Sequence, residues 1–316
     1  MKFANFYVPV REENKPRILP ESGGGRTSER LYCRDPFILP YDGKYYLYHR
    51  SADDGRHGIL CSVSADLEHW SRPITVFAPP EGFHGVKDCF WAPECHYFEG
   101  CFYIFTSVFS SIYGRRVISV YRADNPLGPF EDIAGGCITP PEWDAIDGTL
   151  YVDDEGQPWM VFVHEWVSMP EGNGGMCAVR LSRDLTHFEG EITQLFLARD
   201  VSWATMGVTD GPFLYRTKGG PLLMLWSNFS KKGYVVALAR SESGSLLGPW
   251  THADRLLYQK ELRPDFTTDG GHAMIFRTHE GQTMISLHSP NAASESNFEH
   301  LMLFPLKEEN GMIEIA

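Results

Sequence analysis

Short apolar runs separated by glycine-containing turns recur along this chain, and five of them share one internal order. Each starts with a polar or acidic residue and passes through a small residue or proline into a short apolar strand. It then turns at a glycine and returns through a second, aromatic-rich strand. The segments read RDPFILPYDGKYYLYHRS (34–51), WAPECHYFEGCFYIFTSV (91–108), AIDGTLYVDDEGQPWMVFVHEW (145–166), VTDGPFLYRTKGGPLLMLWSNF (208–229) and DGGHAMIFRTHEGQTMISLHSPN (269–291). Their turns fall at Asp42-Gly43, Glu99-Gly100, Glu155-Gly156, Gly219-Gly220 and Glu280-Gly281. Such dipeptides between apolar runs are hairpin signals.

A further strand pair follows each of the first four hairpins. Gly58–Ser64 leads to LEHW (67–70), Val117–Arg122 to PLGPF (126–130), Met176–Ser182 to LTHF (185–188), and Tyr234–Ser241 to LLGPW (246–250). Each repeat thus supplies about four antiparallel strands in roughly 60 residues, the content of one propeller blade. The pattern predicts an all-β, five-bladed β-propeller, a single domain over residues 1–316. Residues 1–30 form a lead-in with a flexible GGGR loop (23–26), and blades begin near 34, 91, 145, 208 and 269. The fifth repeat reads as shorter, running out in FEHLMLFPLKEENGMIEIA. A β-sandwich also alternates strands and turns, but it does not explain five repeats of similar length.

Composition agrees. Of 316 residues, 43% are hydrophobic and 13% aromatic, with 30 Gly and 21 Pro, which suits many short strands better than long helices. The net charge of −13 and the lack of a Lys/Arg-rich run exclude nucleic acid as a partner. Apolar runs such as Leu222–Trp226 are too short to span a bilayer, so no membrane partner is expected. The N-terminal MKFANFYVPVREENK is no signal peptide, which predicts a cytoplasmic protein, or a secreted one whose signal has been removed. The seven cysteines form no C-x-x-C pair; Cys89, Cys95 and Cys101 are evenly spaced, but reduced thiols buried in strands are the expectation over zinc.

In a propeller the innermost strand of every blade starts near the central axis, so the residues that open those strands converge. Aligning the repeats gives Asp35, Glu94, Asp147, Asp210 and His272. Singly, each aspartate reads as a turn residue and His272 as a core histidine. Together, at equivalent positions, they read as a site, because like charges confined to one pocket raise each other's pKa. Trp91, otherwise a core residue, would stack on a sugar face beside that pocket. Glycosidic cleavage needs one ionised carboxylate to activate water and one protonated carboxyl to donate to the leaving oxygen. A third carboxylate can tune the acid. Glu165 ends the second strand of blade three, which returns toward the end where Asp147 starts, so it joins the set.

The segments RDPFI, WAPE, IDGTLYVDDEG, DGPFL and GGHAMIF, in that order, resemble glycoside hydrolase family 43 across about residues 30 to 290. The resemblance implies a five-bladed propeller that hydrolyses arabinofuranosides, xylosides and sometimes galactosides with inversion. It assigns Asp35 as general base and Asp147 as the carboxylate that tunes and positions the acid. It places Asp210 where the family usually has a glutamate as general acid. Aspartate is one methylene shorter and reaches roughly 1.5 Å less far. Either Asp210 donates with a shifted backbone, or Glu165 donates instead, or the protein is a weak or inactive relative. Trp91, Glu94 and His272 are the expected substrate-binding residues. His272 also matches a family histidine that faces a metal directly or through water, so Ca2+ near the propeller axis is the metal expected, with no cofactor required. The expected partner is an oligosaccharide or polysaccharide, and the expected enzyme an exo-acting arabinofuranosidase or β-xylosidase. A non-catalytic carbohydrate-binding propeller is the alternative. A propeller glycoside phosphorylase is another, needing a basic cluster for phosphate, with Arg34, Arg50 and Arg56 as candidates.

Overall fold

The computed structural model describes residues 8–20, 27–28, 31–50, 57–290 and 299–316. Five four-stranded antiparallel sheets follow one another along the chain. Blade one contains β1 (Phe37–Tyr41), β2 (Lys44–Arg50), β3 (Ile59–Ser64) and β4 (Ile74–Phe77). Blade two contains β5 (Gly85–Phe98), β6 (Cys101–Ser110), β7 (Arg115–Ala123) and β8 (Glu131–Asp132). Blade three contains β9 (Ala145–Val152), β10 (Pro158–His164), β11 (Gly175–Leu181) and β12 (Phe188–Leu197). Blade four contains β13 (Asp210–Arg216), β14 (Leu222–Ser230), β15 (Gly233–Ser241) and β16 (Trp250–His252). Blade five contains β17 (Gly271–Arg277), β18 (Thr283–Pro290), β19 (Glu299–Glu309) and β20 (Met312–Ile315). This is the five-bladed β-propeller that the repeats predicted.

The hairpin turns behave as their residues require. Asp42 and Gly43 have φ of 46° and 70°, and Glu99 and Gly100 have 46° and 94°, the left-handed pairs of a tight primed turn. The aromatic motifs are turns that lead into the outer strands. Leu67 and Leu185, which open LEHW and LTHF, both take left-handed backbone, and the outer strands begin at Ile74 and at Phe188, the last residue of LTHF.

Two expectations need correction. The fifth repeat is not cut short: its last stretch forms β19 and β20, which complete a four-stranded blade. Blade two opens at Gly85, ahead of residue 91, because β5 extends along β6 with register shifts between Gly85 and Phe90 and between Trp91 and Glu94. The expected loop at 23–26 lies outside the described residues.

The core sits between blades. Phe105, Ile118 and Val120 of blade two meet Leu150, Met160 and Phe162 of blade three. Val161 and Val163 of blade three meet Leu214, Met224 and Trp226 of blade four. Blades one and five are joined by backbone as well as side chains. Cys33 donates its N–H to Glu299 O at 3.0 Å, and Tyr32 bridges His300. Asn14 anchors the lead-in, its side-chain amide donating to the Gly100 and Asp124 carbonyls at 3.0 and 2.6 Å.

Candidate active site

Each blade places one left-handed residue on its innermost strand or just before it, at the strand's beginning in all but blade two. These are Asp35 (φ 51°), Ala92 (44°), Asp147 (55°), Gly211 (52°) and His272 (53°). In blades two to five the ladder slips at that point. A bulge turns a side chain out of the strand's regular alternation, and for non-glycine residues the left-handed backbone costs about 1–2 kcal/mol each. The cost is borne where side chains must be aimed at the axis.

The result is one cavity of about 490 Å³ into which Asp35, Asp147, Asp210, His272, Trp91 and Glu165 all face. His272 Nδ1 lies 3.1 Å from Asp35 Oδ1 and 3.8 Å from Asp147 Oδ2. Burial disfavours an imidazolium there, but the surrounding carboxylates of Asp35, Asp147 and Asp210 raise its pKa to about 10. Burial likewise opposes charge on Asp35. The neighbouring His272 imidazolium, with Arg34 beside it, outweighs burial and holds that carboxyl well below the usual range. The Asp35 backbone N–H donates to His288 Nδ1 at 3.1 Å. That nitrogen is therefore an acceptor, and its 3.3 Å approach to Asp35 Oδ1 is a contact rather than an ion pair. Burial, helped by Arg34 and His272, lowers the His288 pKa to about 3 despite Asp35, so the ring is neutral.

Asp147 and Asp210 are pushed the other way. Burial raises Asp147 to about 6, with Asp35 and Glu94 adding to it against the pull of His272 and of the Gly211 N–H, which donates to Oδ2 at 3.0 Å. Burial and then the Asp147 charge raise Asp210 to about 8. Tyr234 Oη donates to Asp210 Oδ2 at 3.0 Å. One pocket thus holds an ionised carboxylate and, at neutral pH, a protonated carboxyl.

Glu165 lines the same cavity but is fully engaged. Arg116 Nε donates to its Oε2 at 2.6 Å and Nη2 to its Oε1 at 2.7 Å, a two-pronged ion pair. The same guanidinium lies over the Trp91 ring, 4.6 Å from its centroid. One face of Trp91 is therefore covered by arginine.

Glu94 departs from expectation. It does not line the cavity. It is buried beneath it, with Oε2 at 3.0 Å from His96 Nε2. The cause is register: the blade-two equivalent of Asp35 and Asp147 is Ala92, two positions earlier, and a slip in β5 separates the two.

Sequence reasoning missed Tyr234, His288 and Arg116, all of which face the cavity. The signal was present. Antiparallel geometry that returns the second strand to the site also starts the third strand there. Arg116 and Tyr234 open β7 and β15, and His288 lies near the end of β18.

Calcium takes six to eight oxygen ligands. Here His272 Nδ1 is committed to Asp35, and Asp147 Oδ2 to the Gly211 N–H. Among the described residues no group of three or more His, Cys, Asp or Glu side chains is arranged to hold a metal ion. This donor set does not fit directly bound calcium. Cys33, Cys61, Cys95 and Cys177 are buried thiols, and no described helix is long and apolar enough to cross a membrane.

Comparison with known proteins places this arrangement. The extracellular exo-α-(1→5)-L-arabinofuranosidase ArbA of Cellvibrio japonicus (strain Ueda107) is 30% identical over 251 residues, 71% of this chain and 67% of that protein. Two further relatives are matched over 46% and 48% of their own length. The endo-arabinase structure from Bacteroides thetaiotaomicron VPI-5482 is 36% identical with a TM-score of 0.79, covering 91% of this chain and 98% of that one. An endo-1,4-β-xylanase structure from the same organism is 26% identical with a TM-score of 0.78, covering 93% and 97%. The family model for glycosyl hydrolases family 43 matches residues 30–311, and the chain belongs to that family.

Proposed function

We propose that this protein is an inverting, exo-acting glycoside hydrolase that removes terminal arabinofuranosyl residues, with terminal xylosyl residues as the second candidate. One observation carries the reading: three carboxyls share a cavity, and their surroundings drive their proton affinities apart. That split is how acid and base roles are assigned on one site at neutral pH. Asp35, held ionised, takes a proton from the attacking water. Asp210, held protonated, gives its proton to the leaving oxygen as the glycosidic bond breaks. Asp147 sustains the proton on Asp210 by its charge and is itself oriented by the Gly211 N–H. His272 balances the cluster.

Asp210 is favoured over Glu165 as the acid because both oxygens of Glu165 accept from Arg116. Exo action is supported by the relative named as an exo-acting arabinofuranosidase. Arabinose is favoured by the relatives named for arabinan-degrading activities. The phosphorylase reading is weakened because Arg116 is paired with Glu165, and Arg34 lies at 3.7 Å from Asp35 and 3.6 Å from Glu299. The Arg50 side chain and Arg56 lie outside the described residues.

The test is turnover of linear α-1,5-arabino-oligosaccharides, xylo-oligosaccharides and their 4-nitrophenyl glycosides, with proton NMR of the first product formed. Free arabinose released one unit at a time, with the anomer opposite to the substrate's, is the expected result. Binding without turnover would establish the carbohydrate-binding alternative, and turnover that requires phosphate would establish the phosphorylase.

A further inference from the structure

A carboxylic acid that donates a proton has two oxygens, and only one of them can face the leaving group. In this cavity the choice is made by a neighbour. Tyr234 Oη donates to Asp210 Oδ2 at 3.0 Å, and among the described residues the hydroxyl has no other acceptor. A phenol buried beside carboxylates stays a donor: burial, then Asp210, Asp35 and Asp147, push its pKa far above the ordinary value.

The ring has little freedom. It stacks on His288 at 5.6 Å and 25°, and leans on Phe229 at 4.9 Å. Its backbone N–H is held by Asp269 Oδ2 at 3.0 Å. A Cβ at Gly271 would sit 2.4 Å from the ring, so the glycine before His272 makes the space that the tyrosine fills. Every contact fixes where the hydroxyl points.

We infer that Tyr234 is a positioning residue for the general acid, occupying Asp210 Oδ2 so that the transferable proton resides on Oδ1. The inference rests on Asp210 being the acid. During cleavage the proton on Oδ1 passes to the glycosidic oxygen as its bond to the anomeric carbon breaks. The bonding electrons leave with that oxygen, water supplies the new bond, and Asp35 takes the water's proton. Asp210 becomes a carboxylate, and the Tyr234 hydrogen bond then becomes charge-assisted, so it is stronger after the transfer than before. A shorter acid in place of glutamate gains direction from a fixed donor.

The experiment compares Tyr234→Phe with Asp210→Asn, each on a poor-leaving-group disaccharide and on an activated aryl glycoside. For Tyr234→Phe the expected kcat loss is about ten- to a hundredfold on the disaccharide and less than about threefold on the aryl glycoside. The charged groups facing Asp210 are Asp147, His272, Asp35 and Arg34, and all remain in the variant. Only the bond favouring its ionised form is lost, so the alkaline limb of the pH profile should move upward by roughly one pH unit. Equal losses on both substrates with an unmoved limb would mark a purely structural residue and overturn the inference, as would a disaccharide kcat within twofold of wild type. If Asp210→Asn itself keeps disaccharide turnover, the acid assignment fails instead. Should Tyr234→Phe not fold, 3-fluorotyrosine at position 234 keeps the shape but donates more strongly. It should shift the limb downward, and an unchanged limb would overturn the inference.

Discussion

Asp210 does two opposed things. Its pKa is raised to about 8 from the ordinary 3.8 by burial and by Asp147, so the folded protein holds a proton there that the unfolded chain releases. A raised carboxyl contributes stability that is fully present below the unfolded value and lost as pH rises through the folded one. Asp210→Asn keeps the shape and removes the titration. It should melt within about a degree of wild type near pH 4 and several degrees above it beyond pH 8, measured by thermal denaturation. The same variant should lose about a hundredfold or more of kcat on a poor leaving group. Glu165→Gln is expected to behave oppositely: it breaks the two-pronged pair with Arg116, lowers the melting temperature at every pH, and shows no greater loss on the poor leaving group. A Glu165→Gln effect confined to poor leaving groups would move the acid role there. For wild type, kcat/KM should fall as pH rises through about 8, where the coupled Asp147–Asp210 pair loses its last proton. The aspartates were legible because a turn dipeptide repeated at equivalent positions is a pattern. Tyr234 and His288 were not, because each is a single aromatic inside an apolar strand, and its polar partner is supplied only by the closed ring.

At the scale of the strand, the site is made by a bulge repeated around the propeller. The bulge explains what the sequence could and could not reveal. Strand existence and order follow from alternating apolar runs and hairpin dipeptides, which are local. Register does not, since a one-residue slip changes neither composition nor periodicity. Hence Glu94 aligned with Asp35 and Asp147 in sequence while Ala92 holds that place in space. For the same reason the outer strands of blade five, which lack the aromatic turn motif of the other blades, read as a tail. The bulge also sets which glycines are needed. Gly211 has φ of 52°, and a Cβ there would lie 2.9 Å from the His272 ring. A Cβ at Gly271 would meet the Tyr234 ring at 2.4 Å. Gly156 also has positive φ, 84°, but a Cβ there would meet nothing. Gly156→Ala should therefore cost only backbone strain, about 1 kcal/mol, and leave activity intact. Gly271→Ala should add overpacking of about 1–3 kcal/mol and displace Tyr234, lowering kcat more than stability alone explains. Equal melting temperatures and activities for the two variants would count against the bulge as the element that aims the site.

On the scale of the whole molecule, the seam between the first and last blades runs through the site. Asp35 belongs to blade one, whereas its partners His272 and His288 belong to blade five. Among the described residues no disulfide ties those blades together, so Asp35 stays beside His272 only while the ring is shut. At the far end of the same seam Tyr45 of β2 acts as the clasp. Its hydroxyl accepts the His279 N–H at 3.1 Å and donates to Glu280 at 3.4 Å, and its ring packs on His279 at 4.7 Å and Phe276 at 6.3 Å. The residue is buried, so Tyr45→Ala should cost about 3–5 kcal/mol, whereas Tyr45→Phe should cost about 1 kcal/mol because only the hydrogen bonds go. Neither change touches the cavity. Below its melting point Tyr45→Ala should keep kcat within about twofold, since a closed ring presents the same acids. On heating it should lose activity and its near-ultraviolet circular dichroism together, well before wild type, because opening the seam separates Asp35 from His272, Asp147 and Asp210 and disperses the cluster. Activity that persisted beyond the melt would show that the catalytic pairing does not depend on closure. An unchanged melting temperature would show that the ring is held shut elsewhere, by the Cys33–Glu299 and Tyr32–His300 backbone contacts on the site's own side of the seam.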